Sequence, residues 1–209
     1  MSLTEKILVI QRQNLFSAIP DFSGFQPLHN FSQIQTIITK HQEFHARSTM
    51  EENPLYKQII PYLVFEHNNT YFLMRRQSTA SEQRLKNKYS LGIGGHIRQE
   101  DLNSNNIIDW AQREFHEEVS YCGNLKTIPL GIINDDGNAV GQVHIGFVFL
   151  LRGDSPNISI KSELKEGRLV SLETCKTMYD DLESWSKFVC DYLTDPLSSR
   201  QEIYYDQRH

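Results

Sequence analysis

The chain has 209 residues, 39% of them hydrophobic and 22% charged, with a formal net charge of -5. That length suits one domain with an extension and is ample for a hydrophobic core. The acidic balance leaves no electrostatic footprint for nucleic acid, and no apolar run is long enough to span a bilayer. The three cysteines, Cys122, Cys175 and Cys190, are odd in number and lack CxxC spacing, so neither a cysteine zinc site nor a disulfide framework is expected. The opening MSLTEKILVIQRQNLF has no small-residue cleavage site behind an apolar core, so a signal peptide is not expected and the cytoplasm is the expected compartment.

In chain order, KILVIQR reads as a strand and the turn-rich NLFSAIPDFSGFQPL as a loop. Phe31, Ile34, Ile37 and Ile38 recur at helical spacing. ENPLYK breaks the chain, which sets residues 1–55 apart as an N-terminal extension packed on a main domain over 56–195, with a polar tail over 196–209. IIPYLVFEHNNTYFLMRR is a hairpin turning at HNNT. A polar, basic loop leads to LGIGGHI, a glycine-bearing strand end. TIPLGIINDDGNAVGQVHIGFVFLLRG gives two strands about NDDGN, and ISIKSELKEGRLVSL adds a further short strand. ETCKTMYDDLESWSKFVCDYL carries apolar residues from Met178 to Tyr192 at the spacing of one amphipathic helix.

The stretch from Gly94 to Tyr121 concentrates the chemistry. Asn106 is a candidate N-cap, Ile108, Ala111, Phe115 and Val119 form a stripe, and Gly123 is a candidate stop, which predicts a helix from Ile107 to Tyr121. On it Glu114 lies three before Glu117 and four before Glu118, so three carboxylates converge on one edge. Arg113 can hold one of them through a paired contact. One cation does not neutralise three glutamates, whereas a hard divalent ion with oxygen ligands, Mg²⁺ or Mn²⁺, does.

This arrangement resembles the signature of the Nudix hydrolases, G-x5-E-x7-R-E-U-x-E-E-x-G-U, with U a bulky apolar residue. Gly94 and Glu100 match its first part, and Arg113, Glu114, Phe115, Glu117, Glu118 and Tyr121 its second. Twelve residues separate Glu100 from Arg113 where the signature has seven. Pairing Gly95 with Asp101 leaves eleven, and Ser120 stands where the signature has its last glycine.

The resemblance implies an α/β fold, the Nudix-type α/β/α sandwich with a mixed sheet. It implies Mg-dependent cleavage of a pyrophosphate bond in a nucleoside diphosphate linked to another group. Glu117 and Glu118 would be metal ligands, Glu114 a ligand or the general base, and Arg113 their orienting cation. A carbonyl at Gly94 or Gly95 would add a ligand. Arg76 and His96 are candidate phosphate contacts, with Glu163 and Glu166 as candidate late-loop glutamates. Arg75 alternates with Arg76 to the other face, His144 has a strand setting and is equally a structural or a phosphate-contact residue, and Tyr56 and Tyr62 belong to the core or to a base-stacking wall. The expected partner is a small nucleotide derivative, with no nucleic acid and no membrane. The extension and the long loop shape the pocket or a homodimer contact. The rival readings are a nucleotide-binding protein without catalysis and an isomerase of the isopentenyl diphosphate type, which needs a catalytic cysteine.

Overall fold

The computed structural model describes residues 5–28, 30–76, 88–101, 107–161 and 164–195. It opens with β1 (Lys6–Gln11), α1 (Arg12–Phe16), β2 (Gly24–Pro27), α2 (Phe31–His41), β3 (Gln42–Ala46) and α3 (Arg47–Met50). The hairpin β4 (Tyr56–His67) and β5 (Thr70–Arg76) follows, then β6 (Tyr89–Ser90), β7 (Gly92–Gly94) and α4 (Ile107–Glu118). The last part holds β8 (Val119–Tyr121), β9 (Leu125–Asn134), α5 (Ala139–Val143), β10 (His144–Gly153), β11 (Ile158–Ile160), β12 (Leu164–Ser171), α6 (Leu172–Thr177) and α7 (Ser184–Thr194). The class is α/β with a mixed sheet, as expected. No helix among the described residues is long and apolar enough to cross a membrane.

The chain forms two compact units: residues 1–62, 94–112 and 131–148, and residues 63–93, 113–130 and 149–209. In the first unit the sequence sets residues 1–55 apart as an extension, yet the structure weaves them into the sheet. β1 pairs antiparallel with both β3 and β4, with Val9 opposite Gln58, and β2 pairs with β9, with Phe25 opposite Ile133. Four residues of β1, Ile7 to Ile10, are buried because it has neighbours on both edges. The expected loop after β1 contains α1 and β2 instead. α2 follows its predicted stripe: Phe31, Ile34 and Ile38 are buried, and the Asn30 side chain caps the helix by accepting from Gln33 N at 3.2 Å.

In the second unit the hairpin of β4 and β5 turns as predicted. Asn68 and Asn69 have φ of 48° and 61°, the left-handed pair that a two-residue type I′ turn requires. Glu66 accepts from Asn69 N at 2.6 Å and fixes the turn. β12 pairs along β5, Arg168 opposite Leu73. The closing helix differs from expectation. It is broken into α6 and α7 because the Glu183 side chain caps a new start, accepting from Trp185 N at 2.9 Å and Ser186 N at 3.0 Å. Met178 and Leu182 therefore fall in the connection, which includes a 3-10 turn over Tyr179–Asp181.

Candidate active site

The glutamate helix ends earlier than its stripe predicts. α4 stops at Glu118, and Val119 to Tyr121 form β8, paired with β11 through Ser120 opposite Ser159. A buried–exposed–buried alternation over Val, Ser and Tyr suits a strand, and the helix is cut where that pairing becomes available. Gly123 therefore stops no helix. It sits in the following turn, where Tyr121 Oη donates to Asp154 at 3.0 Å. Asn106 lies outside the described residues. The buried face of α4 in the first unit is Ile107, Trp110 and Ala111, with Ile108 only partly covered. In the second unit Phe115 stacks on Phe65, centroids 5.9 Å apart.

The four charged residues of the signature's second part, Arg113, Glu114, Glu117 and Glu118, lie in the second unit. The Arg113 guanidinium donates to Glu117 one turn on and lies 3.5 Å from Glu114 Oε2. Glu114 is largely withdrawn from water, its side chain 16% exposed, whereas Glu117 stands at 51% and Glu118 is partly buried. Lys161 ties the helix end, its amide donating to the Glu118 carbonyl at 2.9 Å and its ammonium to the His116 carbonyl. Two of the three carboxylates, Glu114 and Glu117, share the Arg113 guanidinium, and Glu118 follows Glu117 in the helix. An oxygen-only, strongly anionic donor set of this kind fits a hard divalent ion.

The other expected residues are placed as follows. Gly94 ends β7 in the first unit, where an added Cβ would come within 3.2 Å of Ile60 and 3.3 Å of the Pro61 carbonyl oxygen, so the position favours glycine. Glu100 is 66% exposed and lies 3.9 Å from Arg98. Asp101 is the carboxylate built into this turn, 7% exposed. Its side chain accepts from Arg98 N at 2.9 Å and its carbonyl from Trp110 Nε1 at 2.7 Å. Asp101 is therefore held within the turn, whereas Glu100 points toward solvent.

His96 sits against Gln58 and His144 in the first unit. Its Nε2 lies 2.7 Å from Gln58 Oε1 and 3.3 Å from His144 Nε2. Burial, reinforced by the charge of Arg47 and by His144, holds its pKa well below the usual histidine range. Arg76 closes β5, opposite Leu164, and its side chain is not among those described. Arg75 is engaged with Glu166 at 3.5 Å and lies over the Tyr89 ring at 5.3 Å. Tyr89 also donates to Glu166 at 3.2 Å, so Glu166 serves a cross-strand pairing. Glu163 lies outside the described residues. Tyr62 is core, and Tyr56 rests on His45 and donates to Glu43 at 3.2 Å.

The sequence reading missed a buried polar centre in the first unit. Lys57 is fully buried in β4, and its Nζ donates to Asp136 Oδ1 at 2.8 Å, to the Gly141 carbonyl at 2.8 Å and to the His144 carbonyl at 3.2 Å. Arg12 joins Asp136 from the other side, Nη1 at 2.9 Å. Those bonds, Arg12 first, hold the Asp136 carboxyl well below the usual carboxylate range, while desolvation pulls Lys57 down. The available signal was a lysine inside an otherwise apolar strand, together with the acidic NDDG turn.

No family model matches the chain. It is 33% identical to Protein YmaB of Bacillus subtilis (strain 168), over 91% of this chain and 98% of YmaB. It is 31% identical to Tm1382, described as a candidate Nudix hydrolase, whose crystal structure superposes with a TM-score of 0.79 over 90% of this chain and 98% of that one. The NUDIX domain of Shewanella oneidensis NrtR, solved with ADP ribose, shares the fold at 12% identity and a TM-score of 0.53, over 70% of this chain and 88% of that domain.

Proposed function

The chain belongs to the Nudix hydrolase family, and from that premise we propose that it hydrolyses the pyrophosphate bond of a nucleoside diphosphate linked to a second group, with Mg²⁺ or Mn²⁺ as cofactor. The observation that carries this reading is the set on α4: Arg113 joined to Glu114 and Glu117, with Glu118 beside them.

Glu117 and Glu118 are the residues to hold the ion, with Glu114 as a further ligand or as the base that takes a proton from water. When bound, such an ion supplies charge neutralisation for the diphosphate and an acidified water. Arg113 orients the carboxylates, donating to Glu117 and lying 3.5 Å from Glu114. The partial burial of Glu114 strengthens its electrostatics relative to a fully hydrated carboxylate. The Gly94 or Gly95 carbonyl remains a proposed ligand. Arg76 remains a proposed phosphate contact.

The isomerase reading loses support from the two buried thiols, which leaves it the exposed Cys122 among the three cysteines. Burial pushes Cys175 up to about 12 and raises Cys190 as well, so neither is a ready thiolate. The test is a panel of nucleoside diphosphate derivatives incubated with Mg²⁺ in ¹⁸O-labelled water, with products identified by mass. Label on a phosphate of one product supports the reading. Unlabelled phosphates, or equal turnover in EDTA, would overturn it.

A further inference from the structure

A second group of metal-ligating side chains lies in the first unit, on residues the proposed hydrolytic chemistry does not use. Glu51 follows α3, His96 follows β7 and His144 opens β10, and one ligand atom from each falls within 4.8 Å of the others. We propose that Glu51, His96 and His144 bind a divalent transition-metal ion of the zinc class.

The imidazole geometry carries the argument. His144 Nδ1 lies 2.7 Å from the Val140 carbonyl, an acceptor only, so Nδ1 carries the hydrogen and Nε2 the lone pair. A backbone carbonyl holding the distal N–H is the usual support behind a metal-bound histidine. That Nε2 is 3.3 Å from His96 Nε2. Two nitrogens bound tetrahedrally at about 2.0–2.1 Å from one zinc ion stand about 3.3–3.4 Å apart. The spacing is therefore that of two ligands on one ion.

Gln58 brings an oxygen to the same cluster. The Gln58 amide nitrogen donates to the Met50 carbonyl at 3.2 Å, which turns Gln58 Oε1 toward His96 Nε2 at 2.7 Å. That 2.7 Å contact and the 3.3 Å contact to His144 Nε2 converge on the same nitrogen of His96. His96 coordinates as its Nδ1–H tautomer, so no proton need be lost, and Gln58 Oε1 supplies a neutral oxygen in the same cluster.

The charges permit this. Glu51 brings the negative charge, and its pair with Arg47 at 3.0 Å uses Oε1. Arg47 is a cation beside the site, partly offset by Glu5 at 3.5 Å. Glu51 is 38% exposed and His144 nearly buried, so the cluster is open to solvent on the glutamate side. Two imidazoles with one carboxylate favour zinc, cobalt or nickel over magnesium, and a three-ligand set of this kind leaves a position for water.

The experiment is a Co²⁺ titration of the full-length, chelator-stripped protein, followed by visible absorption. A d–d band saturating at one equivalent is expected. It should vanish in His144→Ala, weaken at least about tenfold in affinity in Glu51→Gln, and persist in the Glu114→Gln, Glu117→Gln, Glu118→Gln triple variant. Glu51→Gln keeps the test open if His144→Ala fails to fold, because Glu51 lies at the surface. The absence of a band, a band unchanged by Glu51→Gln, or a band lost in the triple variant would each overturn the assignment. The last outcome would place the ion on α4 instead.

Discussion

Lys57 Nζ and Asp136 Oδ1 meet at 2.8 Å, the lysine wholly removed from solvent and the aspartate 32% exposed. Removing one member of a buried pair leaves an uncompensated charge, which costs about 3–5 kcal/mol. Asp136 keeps some water, so Asp136→Asn should cost about 3 kcal/mol, at the low end of that range. Urea unfolding at neutral pH measures it. A loss under about 1 kcal/mol would show that Arg12 and the backbone carbonyls hold Lys57 unaided.

The same pair sets an acid dependence. The folded pKa of Asp136 lies below its unfolded value of about 3.9. Its contribution is therefore whole above about pH 5 and is lost as pH falls below 4 toward the folded value. The stability gap between wild type and Asp136→Asn should be flat from about pH 5 to 8 and shrink in stronger acid. A gap that stays constant down to pH 3 would contradict the assignment.

Glu118→Gln keeps size and removes the charge a hard cation needs. Turnover on the substrate found by the panel screen should fall by about a hundredfold or more, with little change in melting temperature. Near-wild-type turnover across a saturating Mg²⁺ series would remove Glu118 from the site.

Three carboxylates on one helix edge repel in the absence of metal, so Mg²⁺ or Mn²⁺ should raise the melting temperature by mass action. Replacing Glu114, Glu117 and Glu118 by alanine together should abolish the rise. A wild-type melting temperature indifferent to both ions would mean that Arg113 and solvent suffice to hold this edge.

At the hairpin, Asn69 at φ 61° tolerates glycine and resists alanine. Asn69→Ala should cost about 1–2 kcal/mol, the left-handed penalty of an ordinary L-residue, and Asn69→Gly should restore most of it. Equal stability of the two variants in urea would place the turn's preference elsewhere.

That hairpin was legible in the sequence because HNNT encodes its own geometry, and the edge of Glu114, Glu117 and Glu118 was legible because helical spacing alone brings them together. The end of α4 was not, since Val119 to Tyr121 fit both a helical stripe and a strand, and a distant partner later in the chain, at Ile158–Ile160, decides between them. The break before α7 was hidden for a similar reason: Met178 and Leu182 keep helical spacing, while the Glu183 cap that restarts the helix acts through backbone amides that periodicity does not register. His96 was visible as a polar residue beside glycines. Its inward commitment depends on Gln58 and His144, which approach only through the sheet.

Lys57 also acts as a ruler. One ammonium spans Asp136, the Gly141 carbonyl and the His144 carbonyl. At Gly141 a Cβ would fall 1.6 Å from the Asp135 carbonyl oxygen, leaving no slack in the path. The stretch from Asp135 to His144 is thus fixed in length more strictly than in composition. Exposed side chains such as Gln142 can vary, whereas one residue inserted or deleted there carries His144 out of phase with its neighbours. An epitope tag or domain graft in this turn would be read by the protein as a frameshift in space.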